Sequence, residues 1–183
     1  MRKIAVLSIV GLALSLFTVS AGAAGLSPGS RAPSFKVESG DERELTLEML
    51  RGKQIIIFYE DKDSVEKNRT LKKELNKFFQ NRSDTIKFLI VRLPVIDCTG
   101  SFWPFKGKWR DNLIENSEKE GIIIYGDWDG DMLEDYRMEE DDSNVILIDQ
   151  KGIIQYFYAG LVPADEIKKL KTLLTETLVK PSP

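Results

Sequence analysis

The side chains able to do chemistry are few in this chain of 183 residues, which has no histidine and one cysteine, Cys98. Without histidine there is no Ser-His-Asp triad, no Cys-His dyad, no His-ligated zinc or copper and no His-held haem. A lone cysteine excludes an intramolecular disulfide, a CxxC redox pair, a thiolate-held cluster and a Cys-rich zinc site. Cys98 sits in the loop Pro94–Gly100 beside Asp97. A free cysteine is most often a small buried hydrophobe, and a neighbouring carboxylate raises its pKa. The alternative is an accessible thiol that acts as the only nucleophile of an oxidoreductase or peroxidase, or that links two chains into a homodimer.

Two further groups stand out. Asp127, Asp129 and Asp131 alternate like the first ligands of a calcium loop, within a stretch to Asp142 that carries nine carboxylates and one basic residue, Arg137. The loop pattern then fails, with Met132 where the turn needs glycine and Met138 where a bidentate glutamate belongs. A strand-ending Asp-Gly turn and a solvated acidic face are the favoured reading, weak calcium binding the alternative. Phe102, Trp103, Phe105 and Trp109 lie among Lys106, Lys108 and Arg110. That is the composition of a recognition loop for a protein or an acidic ligand, and equally of aromatics covering a sheet end.

The elements that must position these groups follow from periodicity. Ser34–Val37 and Arg43–Leu47 flank Ser39-Gly40-Asp41 as a short hairpin, and Thr46–Arg51 makes a turn of helix ended by Gly52. Gln54–Tyr59 is a continuous apolar run, the pattern of a strand covered on both faces. Asp63 or Ser64 caps a helix to Arg82 with Leu71, Leu75, Phe78 and Phe79 on one stripe. Strands at Ile86–Leu93 and Ile122–Tyr125 flank a helix at Trp109–Lys119. Asn144–Ile148 and Gly152–Tyr158 form an antiparallel edge pair, and Pro163 opens a last helix with stripe Ile167, Leu170, Leu173, Leu174 and Leu178.

The chain's beginning reads as a secretory leader: Arg2 and Lys3, an apolar run Ile4–Val19, then small residues Ala21-Gly22-Ala23. The expected organisation is a signal peptide over 1–23, a flexible lead-in over 24–33, one domain over 34–180 and a disordered tail over 181–183. Hydrophobic residues at 42% and charged residues at 30% suit a globular domain. The 26 Lys and Arg against 29 Asp and Glu are no nucleic-acid profile, and no membrane contact is expected after leader cleavage.

The segments Gly29–Phe35, Leu50-Arg51-Gly52-Lys53 before the apolar strand, and Val145–Asp149 with Lys151-Gly152 resemble the thioredoxin-like superfamily, in its branch of TlpA-like oxidoreductases and peroxiredoxins. More narrowly, Asp63–Asn68, Ser143-Asn144 and the Asp127–Gly130 turn resemble the YtfJ-like periplasmic proteins of undefined function. The resemblance implies a three-layer α/β/α fold with a central mixed sheet and an N-terminal hairpin extension. It also implies a CxxC pair at the helix start after the central strand, faced by a cis-proline. Here those positions are Asp63, Glu66 and Ser143. The two carboxylates suit a helix N-terminus, so capping is favoured over a catalytic acid/base pair. The reading is an exported, periplasmic thioredoxin-fold protein without cofactor. It has lost the redox pair and binds a protein partner through Asp63, Glu66 and the aromatic loop. A single-cysteine oxidoreductase using Cys98 is the alternative.

Overall fold

The computed structural model describes residues 26–102 and 104–178; the leader over 1–23, Trp103 and the tail over 181–183 lie outside the described residues. A hairpin comes first, β1 (Lys36–Ser39) and β2 (Glu44–Thr46), followed by a single 3-10 turn at Glu48–Leu50. The apolar run then forms β3 (Gln54–Glu60), buried at every position. After it come α1 (Arg69–Gln80), α2 (Asp84–Leu89), β4 (Ile90–Asp97), α3 (Lys106–Glu120), β5 (Tyr125–Asp127) and α4 (Asp131–Asp135). The chain closes with β6 (Ser143–Ile148), β7 (Ile154–Ala159) and α5 (Ala164–Glu176).

These strands make one mixed sheet in the order β2-β1-β5-β4-β3-β6-β7. β3, β4 and β5 run parallel, whereas β6 pairs antiparallel with β3 from Ile55↔Ile148 to Glu60↔Ser143. Alternation along β3 splits its side chains between two cores. Ile56 and Phe58 join Leu71, Leu75 and Phe79 of α1 and Ile167, Leu170 and Leu174 of α5. Ile55, Ile57 and Tyr59 join Phe35, Val37, Met132 and Tyr136 on the opposite face. Each fully buried aliphatic side chain contributes roughly 1.5–3 kcal/mol, so this strand carries a large share of the fold's stability.

Several boundaries differ from the expected ones. α1 begins at Arg69 and not at Asp63 or Ser64. Residues 62–68 instead wind through consecutive turns, with Ser64 N–H bonded to Asp61 O and Lys67 N–H to Ser64 O. The expected strand over Ile86–Leu93 is half helix: Ser83 Oγ accepts from Ile86 N–H and caps α2, and extended backbone starts only at Ile90. β5 likewise starts at Tyr125 rather than Ile122. The lead-in is tied down over 29–32, where Gly29 N–H donates to Ile154 O, Ala32 N–H to Gly152 O and Arg31 bridges Ile153. Among the described residues no helix is long and apolar enough to cross a membrane.

Candidate functional site

The carboxyl ends of the parallel strands β3, β4 and β5 lie side by side, with Glu60 opposite Ile96 and Asp97 opposite Asp127. Three connections rise from that edge: the turns 61–68, the loop 98–105 and the turn 127–130. In open α/β sheets this is the edge where ligands bind, because the loops there escape the packed layers. Among the described residues the sequence-derived candidates fall on these connections, on the adjoining helix α3 or, for Asp131, at the start of α4.

Behind the first connection lies a buried polar network that the sequence reading did not anticipate. Glu60 ends β3 with its side chain on the α1 face, 2% exposed. Lys72, one turn into α1, donates to Glu60 Oε2 at 2.6 Å, and Ser143 Oγ donates to Glu60 Oε1 at 3.0 Å. Burial holds the Glu60 carboxyl above its ordinary range, and the Lys72 ammonium offsets only part of that rise. Asn68 then joins three segments. Its Nδ2 donates to Ser143 Oγ at 2.8 Å and Gly160 O at 2.9 Å, while its Oδ1 accepts from Val162 N–H at 2.9 Å. Asn68 stands at the N-cap of α1 yet makes no capping bond, because its amide is committed to these tertiary contacts. At the rim, Lys67 Nζ pairs with Asp142 at 2.5 Å.

Asp63 and Glu66 stay outside this network. Both are exposed on the 62–68 turns; Asp63 faces Lys62 at 3.9 Å and Glu66 faces Arg69 at 2.5 Å. Neither caps α1, which corrects the expected role, since the helix starts beyond them. The Arg69 guanidinium holds the Glu66 carboxyl below its usual range.

Cys98 opens the second connection but points inward and is 0% exposed. Its N–H donates to Asp127 O at 2.9 Å. Its sulfur lies so close to Gly126 that a Cβ there would sit 2.8 Å from Sγ. Burial first, then the charges of Asp97 and Asp127, push the thiol up to about 12. The thiolate is the nucleophile in exchange chemistry, and at neutral pH this sulfur holds almost none of it. Nor does the sulfur present any surface through which to meet a second chain. Phe102 and Phe105 are exposed, whereas Trp109 is half-buried. Trp103 lies outside the described residues.

The third connection uses its first carboxylate internally. Asp127 is 0% exposed. Its Oδ2 accepts from Tyr59 Oη and Leu133 N–H, each at 3.1 Å, and its Oδ1 accepts from Gly130 N–H at 3.2 Å. Desolvation raises its carboxyl to about 6. Asp129 and Asp131 are exposed; Asp129 lies close enough to Asp127 to help raise its carboxyl, and its Oδ1 accepts from Asp131 N–H at 3.3 Å. Among the described residues no group of three or more Asp, Glu or Cys side chains is arranged to hold a metal ion. Trp128 between them is a packing residue: Nε1 donates to Glu38 O at 3.1 Å, and Lys106 and Arg110 lie 5.0 and 4.9 Å from its ring.

With the sheet order and this edge in place, the class is clear: the fold is thioredoxin-like. The chain is similar to a thiol peroxidase from Chromobacterium violaceum, with TM-score 0.61 and 15% identity over 84% of this chain and 88% of that one. It is similar also to the thioredoxin domain of a thiol-disulfide oxidoreductase from Bacteroides vulgatus, with TM-score 0.56 and 18% identity over 81% and 99%. A third similar structure is the exposed lipoprotein thioredoxin of Streptococcus pneumoniae, with TM-score 0.54 and 15% identity over 76% and 98%. Neither a protein-family model nor a curated protein matches the sequence.

Proposed function

We propose that this chain is an exported thioredoxin-fold protein that performs no thiol chemistry and serves as a binding or accessory module of the cell envelope. The observation that carries the reading is the Glu60–Ser143–Asn68–Lys72 network. It takes in Ser143, the position of the cis-proline in the thioredoxin resemblance, while the exposed Asp63 and Glu66 stand where that resemblance calls for the CxxC pair, and it satisfies its own hydrogen bonds. Such a cluster pins loops together and presents no nucleophile. The contact surface is then the outer side of the same edge, with Asp63, Glu66, the loop carrying Phe102, Trp103 and Phe105, and Trp109 in the first turn of α3. Its partner is a protein of the periplasm, in line with the leader-like start and the likeness of Asp63–Asn68 and Ser143-Asn144 to the YtfJ-like proteins.

A second reading, a single-cysteine thiol oxidoreductase, draws support from the names of the similar structures, which include a thiol peroxidase and a thiol-disulfide oxidoreductase. Against it stand the burial of Cys98 and a thiol pushed up to about 12. One experiment separates the two: peroxide- and disulfide-reduction rates of the protein beside Cys98→Ser, together with the pH dependence of Cys98 alkylation. No rate above free cysteine and a thiol that alkylates only on unfolding support the binding module. A rate abolished by Cys98→Ser, with alkylation of the native protein near neutral pH, establishes the oxidoreductase.

A further inference from the structure

A cleft of about 820 Å3 opens on the face of the sheet opposite α1 and α5, within the size range of small-molecule sites. Phe35, Leu47 and Leu50 give it an apolar lining. Some of its charged side chains are already committed. Arg51 pairs with Glu48 at 2.6 Å and Lys36 with Glu44 at 3.8 Å, while Lys53 Nζ donates to Phe88 O at 2.7 Å. Five are not: Arg31, Lys151, Asp129, Asp131 and Asp135 line the same cleft, are exposed, and make no ion pair among the described residues.

The backbone under both sets of charges is held in place. Asp149 Oδ1 accepts from Lys151 N–H at 2.8 Å and Ile153 N–H at 2.9 Å, which fixes the turn that carries Lys151. Gln150 Nε2 in that turn donates to Gly52 O at 3.1 Å, and Arg31 bridges Ile153 next to it. On the acidic side, Asp127 accepts from Gly130 N–H and Leu133 N–H and so sets the start of α4, and Tyr136 Oη ties the end of α4 to Pro33 O at 2.7 Å. Two cations and three carboxylates therefore share one cleft on fixed supports, and neither cation reaches any of the carboxylates. Charges kept apart across a partly apolar gap leave their field in the gap, where a ligand meets it.

A ligand with one charge satisfies one set and leaves the other without a partner. A ligand with an ammonium at one end, a carboxylate at the other and a small apolar stem satisfies both and covers the apolar lining. We infer that the cleft binds a short peptide with free ends, its amino terminus among Asp129, Asp131 and Asp135 and its carboxylate at Arg31 and Lys151. The planar guanidinium of Arg31 suits a carboxylate, which it can hold through two parallel hydrogen bonds. This site uses none of the residues of the contact surface proposed above and goes beyond that reading.

Amide shifts of the isotope-labelled protein, titrated with free-ended alanine–leucine peptides of about three to five residues, test it. The expected result is a dissociation constant below about 1 mM for at least one peptide, with the shifts centred on Arg31, Lys151 and the 129–135 segment. Acetylating the amino end or amidating the carboxyl end should each weaken binding at least about 10-fold. Arg31→Gln/Lys151→Gln should abolish the penalty of amidation and keep that of acetylation, and Asp131→Asn/Asp135→Asn should do the reverse. A general structural defect does not produce that reciprocal pattern, and Arg31→Gln and Asp131→Asn alone carry the same logic should a double variant lose its dispersed spectrum. No peptide binding below about 1 mM, a doubly blocked peptide that binds as well as the free one, or shifts confined to the turns 61–68 and the loop 98–105 overturns the inference. Those outcomes leave the non-redox reading standing, because the thiol assay alone decides it.

Discussion

Asn68→Ala isolates the contribution of the network that occupies the carboxyl edge of β3. The substitution removes three hydrogen bonds of 2.8–2.9 Å and strands Val162 N–H and Gly160 C=O. Val162 is 4% exposed, so water does not readily replace its lost acceptor, whereas Gly160 is only half-buried and its carbonyl can be rehydrated. A buried unsatisfied group costs about 1–3 kcal/mol, and the wetter carbonyl adds less, which together gives a loss of ~2–4 kcal/mol. For a domain of this size that lowers Tm by roughly 5–15 °C. Urea unfolding followed by tryptophan fluorescence reads the difference directly. Asn68→Asp serves as the control: it keeps an acceptor for Val162 but turns the donor facing Gly160 O and Ser143 into a second acceptor, and so should be no better than alanine. Ser143→Ala in the Asn68→Ala background should cost less than in the wild type, because the two share a bond. A loss below about 0.5 kcal/mol for Asn68→Ala, the size of an ordinary surface change, refutes the pinning role.

Three further outcomes follow from the same geometry. Lys72→Met leaves Glu60 buried without its cation and should cost ~2–4 kcal/mol at neutral pH; the loss should shrink on acidification, because a carboxyl raised in the folded state favours folding when protonated, and Glu60→Gln in the same chain should recover most of it. Gly126→Ala should cost about 1–3 kcal/mol, as its Cβ would lie 2.8 Å from Cys98 Sγ and 2.9 Å from the Trp128 ring; Cys98→Ala should relieve part of that loss in a double-mutant cycle. The Asp127 side-chain carbon should titrate by NMR near pH 6. Since that value lies above the unfolded one of about 3.9, the group stabilises the fold fully below pH ~4 and its contribution is lost as pH rises through 6. A midpoint near 4 would contradict the desolvated placement of this carboxyl.

The fold was largely readable from periodicity, because β3, α1 and α5 carry long, consistent apolar patterns whose burial nothing else competes with. The failures were at boundaries set by tertiary contacts. Asp63 and Ser64 look like good helix caps, but the helix waits for Asn68, whose amide is held by Gly160 and Val162, far along the chain. At Ser83 the cap signal was local and present, yet the apolar run from Ile86 onward masked it. The network members were harder. Glu60 reads as the polar end of an apolar strand, and only the alternation of β3 places it on the face where Lys72 of α1 arrives. Ser143 was singled out by resemblance as the position opposite the redox pair, without any sign that it would bond Glu60. For Cys98 the buried reading followed from Asp97 and general thiol statistics, and the 0% exposure agrees with it. In the acidic turn, where a strand-ending Asp-Gly turn on a solvated face was the favoured reading, Asp129 and Asp131 are exposed, and the alternation gave no sign that Asp127 would be buried at the strand end.

The pairing of β3 also sets an order of events for the newly made chain. One flank of Ile55-Ile56-Ile57-Phe58-Tyr59 is satisfied by β4, close in sequence, but the other waits for β6, where Ile55 meets Ile148. Until that distant hairpin and α5 arrive, a β-prone, uncharged segment has an open edge and one bare face, the combination that favours intermolecular strand pairing. A chain released slowly, or threaded through a membrane from its N-terminus, carries this hazard for most of its length. Its survival then depends less on the final stability of the sheet than on how soon the last third of the chain follows the first.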